Sequence, residues 1–150
     1  LHHLDLIPRR YTVEAGKELT DEWNTAAQAG SYDLEVYGPN GFFRKLKGNI
    51  SKSFLQTDID FDEKNTKIYV NITNQGAERL KISMKDNAYG YAGLDPRDLE
   101  PSHSLRLEWS LDKSGNWYDF TLHSSAEFMY RLAGRLETGV DSISDPAMGM

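Results

Sequence analysis

The chain has 150 residues, room for one ordinary domain or two very small ones, and its 39% hydrophobic content is enough for a real core. A formal net charge of −6 opposes non-specific binding to nucleic acid, which needs clustered Lys and Arg, and does not favour anionic lipid. The absence of cysteine excludes disulfides, thiolate metal sites and cysteine catalysis, and no stretch approaches the ~20 apolar residues that span a bilayer.

In chain order, His2-His3 comes first, at an end where order is least expected. Glu14 to Trp23 is expected to form a strand. Tyr32, Leu34 and Val36 then alternate with Asp33, Glu35 and Tyr37, the period of two of a half-buried strand. Gly38-Pro39-Asn40-Gly41 is a turn, since proline presets one dihedral and Asn-Gly accepts positive φ. Phe42 and Leu46 share one face of the next strand, which leaves Phe43 outward.

The acidic run Asp58 to Glu63 superficially resembles a calcium loop. The positions that need Gly and the final Glu hold Glu63 and Tyr69 instead, so a linker or strand with an acidic outer face is the expectation for 51–66. Lys67 to Thr73 alternates cleanly, Asn74-Gln75-Gly76 turns, and Leu80 to Met84 resumes the alternation. Glu100 to Trp109 is a further strand, followed by Tyr118-Phe120-Leu122 and Phe128-Leu132.

Tyr32-Asp33-Leu34 recurs as Tyr118-Asp119-Phe120, an offset of 118 − 32 = 86. Held without gaps over Glu14–Gly48, this offset gives nine identities in 35 positions. Unrelated sequences of ordinary composition would give about two. The identities include Trp23/Trp109, Tyr32/Tyr118, Phe42/Phe128 and Leu46/Leu132, and these eight residues are the expected core of the two copies. Counterparts of the strands around Lys67 and Leu80 would fall at 67 − 86 = −19, before Leu1, so the first repeat is expected to be incomplete. The domain reading is 1–50 for the end of the first repeat, 67–139 for the second and 140–150 for a tail. Short strands with Gly, Pro and Asn turns predict an all-β fold, a small antiparallel β-sandwich, immunoglobulin-like or similar.

No catalytic residue is expected. There is no Gly-x-Ser-x-Gly, no serine with matched His and Asp, and no lysine in an apolar setting. The carboxylates that recur, Glu22/Glu108 and Asp33/Asp119, read as fold-making, because a second copy of an active site is seldom needed. No metal site is expected from His2, His3, His103 and His123, whose spacing suggests no convergence, and no cofactor is implied. Two surfaces remain. Tyr37 and Phe43 with Arg44, Lys45 and Lys47 set aromatic residues among basic ones, the pattern of peripheral membrane contact. Trp23, Trp109 and Trp117 leave a carbohydrate-binding module as an alternative.

The run Pro8-Arg9-Arg10-Tyr11-Thr12-Val13-Glu14-Ala15-Gly16-Lys17, with Tyr32-Asp33-Leu34-Glu35-Val36-Tyr37-Gly38-Pro39-Asn40-Gly41-Phe42-Phe43-Arg44, carries a resemblance. So do Ala133 to Gly139 and Ser144 to Gly149. Together they resemble the tandem C-terminal domain of bacterial phosphocholine-preferring phospholipases C of the acid-phosphatase type. The resemblance implies a non-catalytic module whose partner is an N-terminal catalytic domain of the same polypeptide. That domain would hydrolyse phosphatidylcholine or sphingomyelin to release phosphocholine. It also implies a secreted or periplasmic location, with the targeting segment outside these residues. The module would assist stability or positioning at a phospholipid surface, or dock the catalytic domain or another protein.

Overall fold

In the computed structural model, residues 7–141 and 143–148 are described; His2 and His3 lie outside them. Nine strands follow one another: β1 (Ser31–Tyr37), β2 (Phe43–Asn49), β3 (Leu55–Asp62), β4 (Lys67–Asn74), β5 (Leu80–Asp86), β6 (Leu94–Leu99), β7 (Ser104–Ser110), β8 (Trp117–Ser124) and β9 (Phe128–Arg135). They form two antiparallel sheets, one of six strands in the order β1-β2-β9-β8-β5-β6 and one of three in the order β3-β4-β7. The fold is an all-β sandwich. From β3 onward, the pairing of β3-β4-β7 against β9-β8-β5-β6 is close to an immunoglobulin-like sandwich.

Period-two burial explains the strands that the pattern predicts. Ile68, Val70 and Ile72 of β4 face Ile82 and Met84 of β5 and Tyr118, Phe120 and Leu122 of β8 across the core. Phe128, Tyr130 and Leu132 of β9 close it. Trp109 stacks on Phe120 with ring centroids 4.4 Å apart, and its indole N–H donates to the Ala92 carbonyl at 2.7 Å. Asn74 is the one fully buried amide among the core residues. Its Nδ2 donates to the carbonyls of Glu78 and Leu99, and its Oδ1 accepts from the Gly76 N–H. The turn after Asn74 therefore does not fold the chain back on its own sheet. It carries the chain across the sandwich, and the amide satisfies backbone groups stranded at that corner.

Residues 55–62 are a strand, β3, which pairs with β4 over its whole length from Leu55↔Asn74 to Asp62↔Lys67. Leu55, Thr57 and Ile59 turn inward, and the acids alternate outward. β6 was not legible as a strand, because Asp95-Pro96-Arg97-Asp98 reads as loop chemistry. It survives at the sheet edge, where proline costs no ladder bond.

Shifted by 86, β1 and β2 fall on β8 and β9, and the two hairpins lie side by side in one sheet. The Gly38 N–H donates to the Phe42 carbonyl at 2.9 Å, so each hairpin closes on a matched residue pair, Gly38 with Phe42 and Ser124 with Phe128, around three loop residues. In each, the last loop residue, Gly41 or Glu127, has positive φ. The repeated Tyr and Gly also acquire a reason. Tyr32 lies across the strand from Gly48, where a Cβ would stand 2.6 Å from its hydroxyl. Tyr118 lies on Gly134 in the same way, at 2.9 Å. Each ring covers a strand glycine that any side chain would displace.

The first copy nevertheless lacks the surroundings of the second. Residues 14–23 do not form the expected strand. Their counterpart β7 is held along its length by β4, whereas among the described residues no strand pairs with 14–23. Trp23 is consequently 40% exposed where Trp109 is 9%, and Phe42 is 38% exposed where Phe128 is 6%. Tyr32 and Leu46 are half-buried, while Tyr118 and Leu132 are in the core. Trp23 instead lies beneath the Arg9 guanidinium, 4.8 Å from the ring centroid, and Arg9 bonds Asp21 at 2.5 Å. Hydrogen bonds from Tyr11 and from Arg9 hold the Asp21 carboxyl at about 2.

This difference sets unequal costs at matched positions. Phe120→Ala should cost about 3–5 kcal/mol, because its site is fully enclosed. The matching Leu34→Ala should cost about 1 kcal/mol, since Leu34 is only half-buried. Urea denaturation of the two variants measures both.

Candidate functional site: the outer face of the joined hairpins

β2 and β9 are antiparallel neighbours, paired Phe43↔Ala133, Arg44↔Leu132, Lys45↔Arg131, Leu46↔Tyr130 and Lys47↔Met129. The offset maps this ladder onto itself: Phe43 becomes 43 + 86 = 129 and Ala133 becomes 133 − 86 = 47, which are already a pair. The two hairpins thus meet about a local twofold axis through Lys45 and Arg131. Such a joint sets like against like. Here it puts two cations directly opposite one another, an unfavourable cross-strand pair taken alone.

Flanking acids offset it. Arg131 donates from Nε and Nη2 to the two carboxylate oxygens of Asp119, at 2.9 and 2.6 Å. That bidentate bond raises the guanidinium pKa further. Asp119 is buried, and its Oδ1 also accepts from Asn87, whose amide reaches Thr121 as well. In the first copy Lys45 donates to Glu35 at 2.7 Å and stands 3.5 Å from Asp33, an ion pair without a hydrogen bond. The bond to Glu35 raises the Lys45 pKa. Lys47 is 4.0 Å from Asp33. The recurrence of Asp33/Asp119 is therefore explained by charge balance at the joint. The clue was present as an acid twelve residues before a cation in both copies, 33→45 and 119→131.

The five residues expected to form a contact surface do not all share a face. Tyr37, Phe43, Lys45 and Lys47 alternate onto the outer side. Arg44 points the other way and is buried. Its Nη1 donates to the carbonyls of Phe43 and Ala133, each at 2.8 Å, and Nη2 to the Tyr118 hydroxyl at 3.0 Å. The guanidinium lies 4.3 Å from the Phe42 ring centroid. It ties the first hairpin to the core of the second, from the row of β2 that alternation shares with Phe42 and Leu46. On the outer side, Tyr37 and Phe43 pack together with centroids 5.1 Å apart. Tyr37 is 72% exposed, Phe43 is half-buried, and the Arg131 guanidinium lies 5.4 Å from the Phe43 ring.

The hairpin tip is pinned. Asn40 donates to Glu137 at 2.9 Å, and Gly41 sits so close under Trp117 that a Cβ there would stand 2.8 Å from the ring. Trp117 in turn donates to the Ile143 carbonyl at 3.1 Å. The three tryptophans are thus separate: one in the core, one beneath the tail and one under Arg9. They offer no common stacking surface for a sugar ring. Among the described residues, no three His, Asp or Glu side chains converge as a metal site, and no helix is long and apolar enough to cross a membrane.

Comparison with known proteins completes the picture. The family model described as bacterial phospholipase C, C-terminal domain, matches residues 1–49 and 55–135, stretches that end 135 − 49 = 86 residues apart. The chain is 36% identical, over 95% of its length, to a non-hemolytic phospholipase C of Pseudomonas aeruginosa. It is 37% identical, over 93% of its length, to a non-hemolytic phospholipase C of Burkholderia pseudomallei. It is also 34% identical, over 94%, to a hemolytic phospholipase C of Pseudomonas aeruginosa. It spans only 21–22% of the length of these relatives.

The two ion pairs differ in hydrogen bonding, and substitution should separate them. Asp119→Asn leaves Arg131 without its bidentate partner and should cost about 2 kcal/mol. Asp33→Asn removes a longer, non-hydrogen-bonded contact and should cost under about 1 kcal/mol. Thermal or urea unfolding of the two variants checks the order, and equal losses would contradict it.

Proposed function

The chain belongs to the C-terminal domain family of bacterial phospholipase C, and from that premise we propose that it rests on a zwitterionic lipid surface and positions its phospholipase there. The phospholipase in this reading acts on phosphatidylcholine or sphingomyelin, releasing phosphocholine. Its catalytic domain is the partner in the same polypeptide, and the protein is secreted or periplasmic.

One observation carries the reading: the Tyr37–Phe43 pair stands on a face whose charges cancel. Asp33, Glu35 and Asp119 oppose Lys45, Lys47 and Arg131 through the ion pairs of the joined hairpins, and Arg135 on the same row of β9 pairs with Glu137, four charges against four. Aromatic residues favour the headgroup level of a bilayer, where one end of the ring is wet. The Tyr37 hydroxyl donates to Glu35 at 2.6 Å, a bond that orients the ring and raises the phenol's pKa. A face without surplus cations gains nothing from anionic lipid, and the net charge of −6 works against it.

Co-sedimentation with phosphatidylcholine vesicles tests this. Wild type should bind, and Tyr37→Asp and Phe43→Asp should each weaken binding about tenfold, because a carboxylate at the headgroup boundary loses the ring's burial. Adding phosphatidylserine should not strengthen binding. Equal and negligible sedimentation of all three proteins would dispose of the proposal.

A further inference from the structure

The second hairpin is covered and the first is not. The edge of β8 is paired by β5 through Ile82↔Ser124, Ser83↔His123, Met84↔Leu122, Lys85↔Thr121 and Asp86↔Phe120. Its inner face lies under the sheet β3-β4-β7. Moved back by 86, these β8 positions are Leu34 to Tyr37 on β1 and the adjoining Gly38. There the edge is the end of the six-stranded sheet, with no strand beyond it among the described residues. On the inner face beside it, Val36 and Phe42 are each 38% exposed, and Phe61 of the neighbouring β3 is 41% exposed. Their counterparts Leu122 and Phe128 are 0% and 6%.

The sheet's two edges are also unlike each other. β6 carries Pro96 among Asp95, Arg97 and Asp98, and its register with β5 slips between Ile82 and Met84. Proline, charge and irregularity are the devices that stop an edge from recruiting another strand. β1 has none of these on its inner row. It is a regular seven-residue strand with no proline and no bulge against β2, and its inner side chains are Tyr32, Leu34 and Val36. One edge is guarded and the other is left open.

We propose that the β1 edge and the inner face of the first hairpin receive a β segment with the chemistry of β3–β5. We take it to be supplied by the phospholipase sequence that the relatives contain and residues 1–150 do not span. The incoming strand lies antiparallel along Leu34–Gly38, with an apolar side chain facing Val36 as Met84 faces Leu122. Its neighbours cover Leu34, Phe42 and Phe61. A strand from that cover would also pair with residues 19–23, which then take the place that β7 holds beside β4, and Trp23 leaves Arg9 for the new core. This surface is separate from the outer face read as lipid-binding, and it stands or falls independently of that reading.

The repeat spacing makes a direct test available. A second copy of Phe54–Asp86 joined immediately before Leu1 reproduces the interval found in the second copy, because 86 − 86 = 0 puts its last residue next to Leu1. In the full chain so extended, amide exchange at Leu34–Tyr37 should slow at least tenfold and Trp23 emission should shift to the blue. Val36→Asp in the extended chain should reverse both effects. In the parent chain the same substitution should leave the fold intact, because Val36 is already 38% exposed there. Unchanged exchange at β1 would overturn the proposal. So would protection that appears along β6, or exchange that changes only at Phe120–Ser124, where the added segment would merely have displaced the native β5.

Discussion

The outer edge of β9 carries backbone N–H and C=O groups that need partners, and β2 supplies them over five residue pairs. Much of the molecule's organisation depends on that one ladder. It brings the two hairpins into one sheet and fixes which residues meet across the joint. It also gives Arg44 its route to the Ala133 carbonyl and the Tyr118 hydroxyl, so that a cation from one copy fastens the core of the other. The register leaves Lys45 opposite Arg131, and the buried Asp119 and the pair Asp33 and Glu35 then follow as the charge balance that this opposition requires.

Two faces result, with different chemistry. The outer face is an ion-pair lattice with an aromatic pair at one end, its opposite charges matched. The inner face is apolar and continuous with the core of the second copy, but its cover stops at β3. The second copy forms a complete sandwich around Phe120 and Trp109. The first contributes a hairpin in which the matching Leu34 is only half-buried, and Trp23 before it remains exposed. Family membership supplies the setting, a C-terminal domain of bacterial phospholipase C.

Much of this was legible in the sequence wherever burial writes a period of two. Lys67–Thr73 alternates because one row is buried in the core, and the Tyr32 and Tyr118 hairpins carry apolar side chains on the inner row and polar ones on the outer. The Tyr-Gly identities were visible before their reason was, since a ring lying over a strand glycine needs the partner strand in place. Glu14–Trp23 misled because it shares Leu19, Glu22 and Trp23 with β7 but has Asp21 where β7 has Leu107, and because among the described residues it has no neighbouring strand of the kind β4 gives β7. β6 was hidden by its own edge protection. Arg44 was misplaced because a basic residue between Phe43 and Lys45 looks solvent-facing, whereas strand alternation and two carbonyl acceptors turn it inward. Tyr37 and Phe43 pack together across the hairpin, and their charge environment depends on cross-strand partners up to 88 residues away from Phe43, as in Arg131, which local sequence does not display.

The local axis through Lys45 and Arg131 has a consequence for how this architecture can assemble. An interface that maps onto itself is isologous, and an isologous contact is used up once it forms. Were the two hairpins carried on separate chains, each β9-type edge would find its match in an identical edge and stop at two. Joining both halves in a single chain satisfies that contact internally. That edge of either copy is thereby closed within the chain, and neither copy can propagate through it into an open-ended fibre.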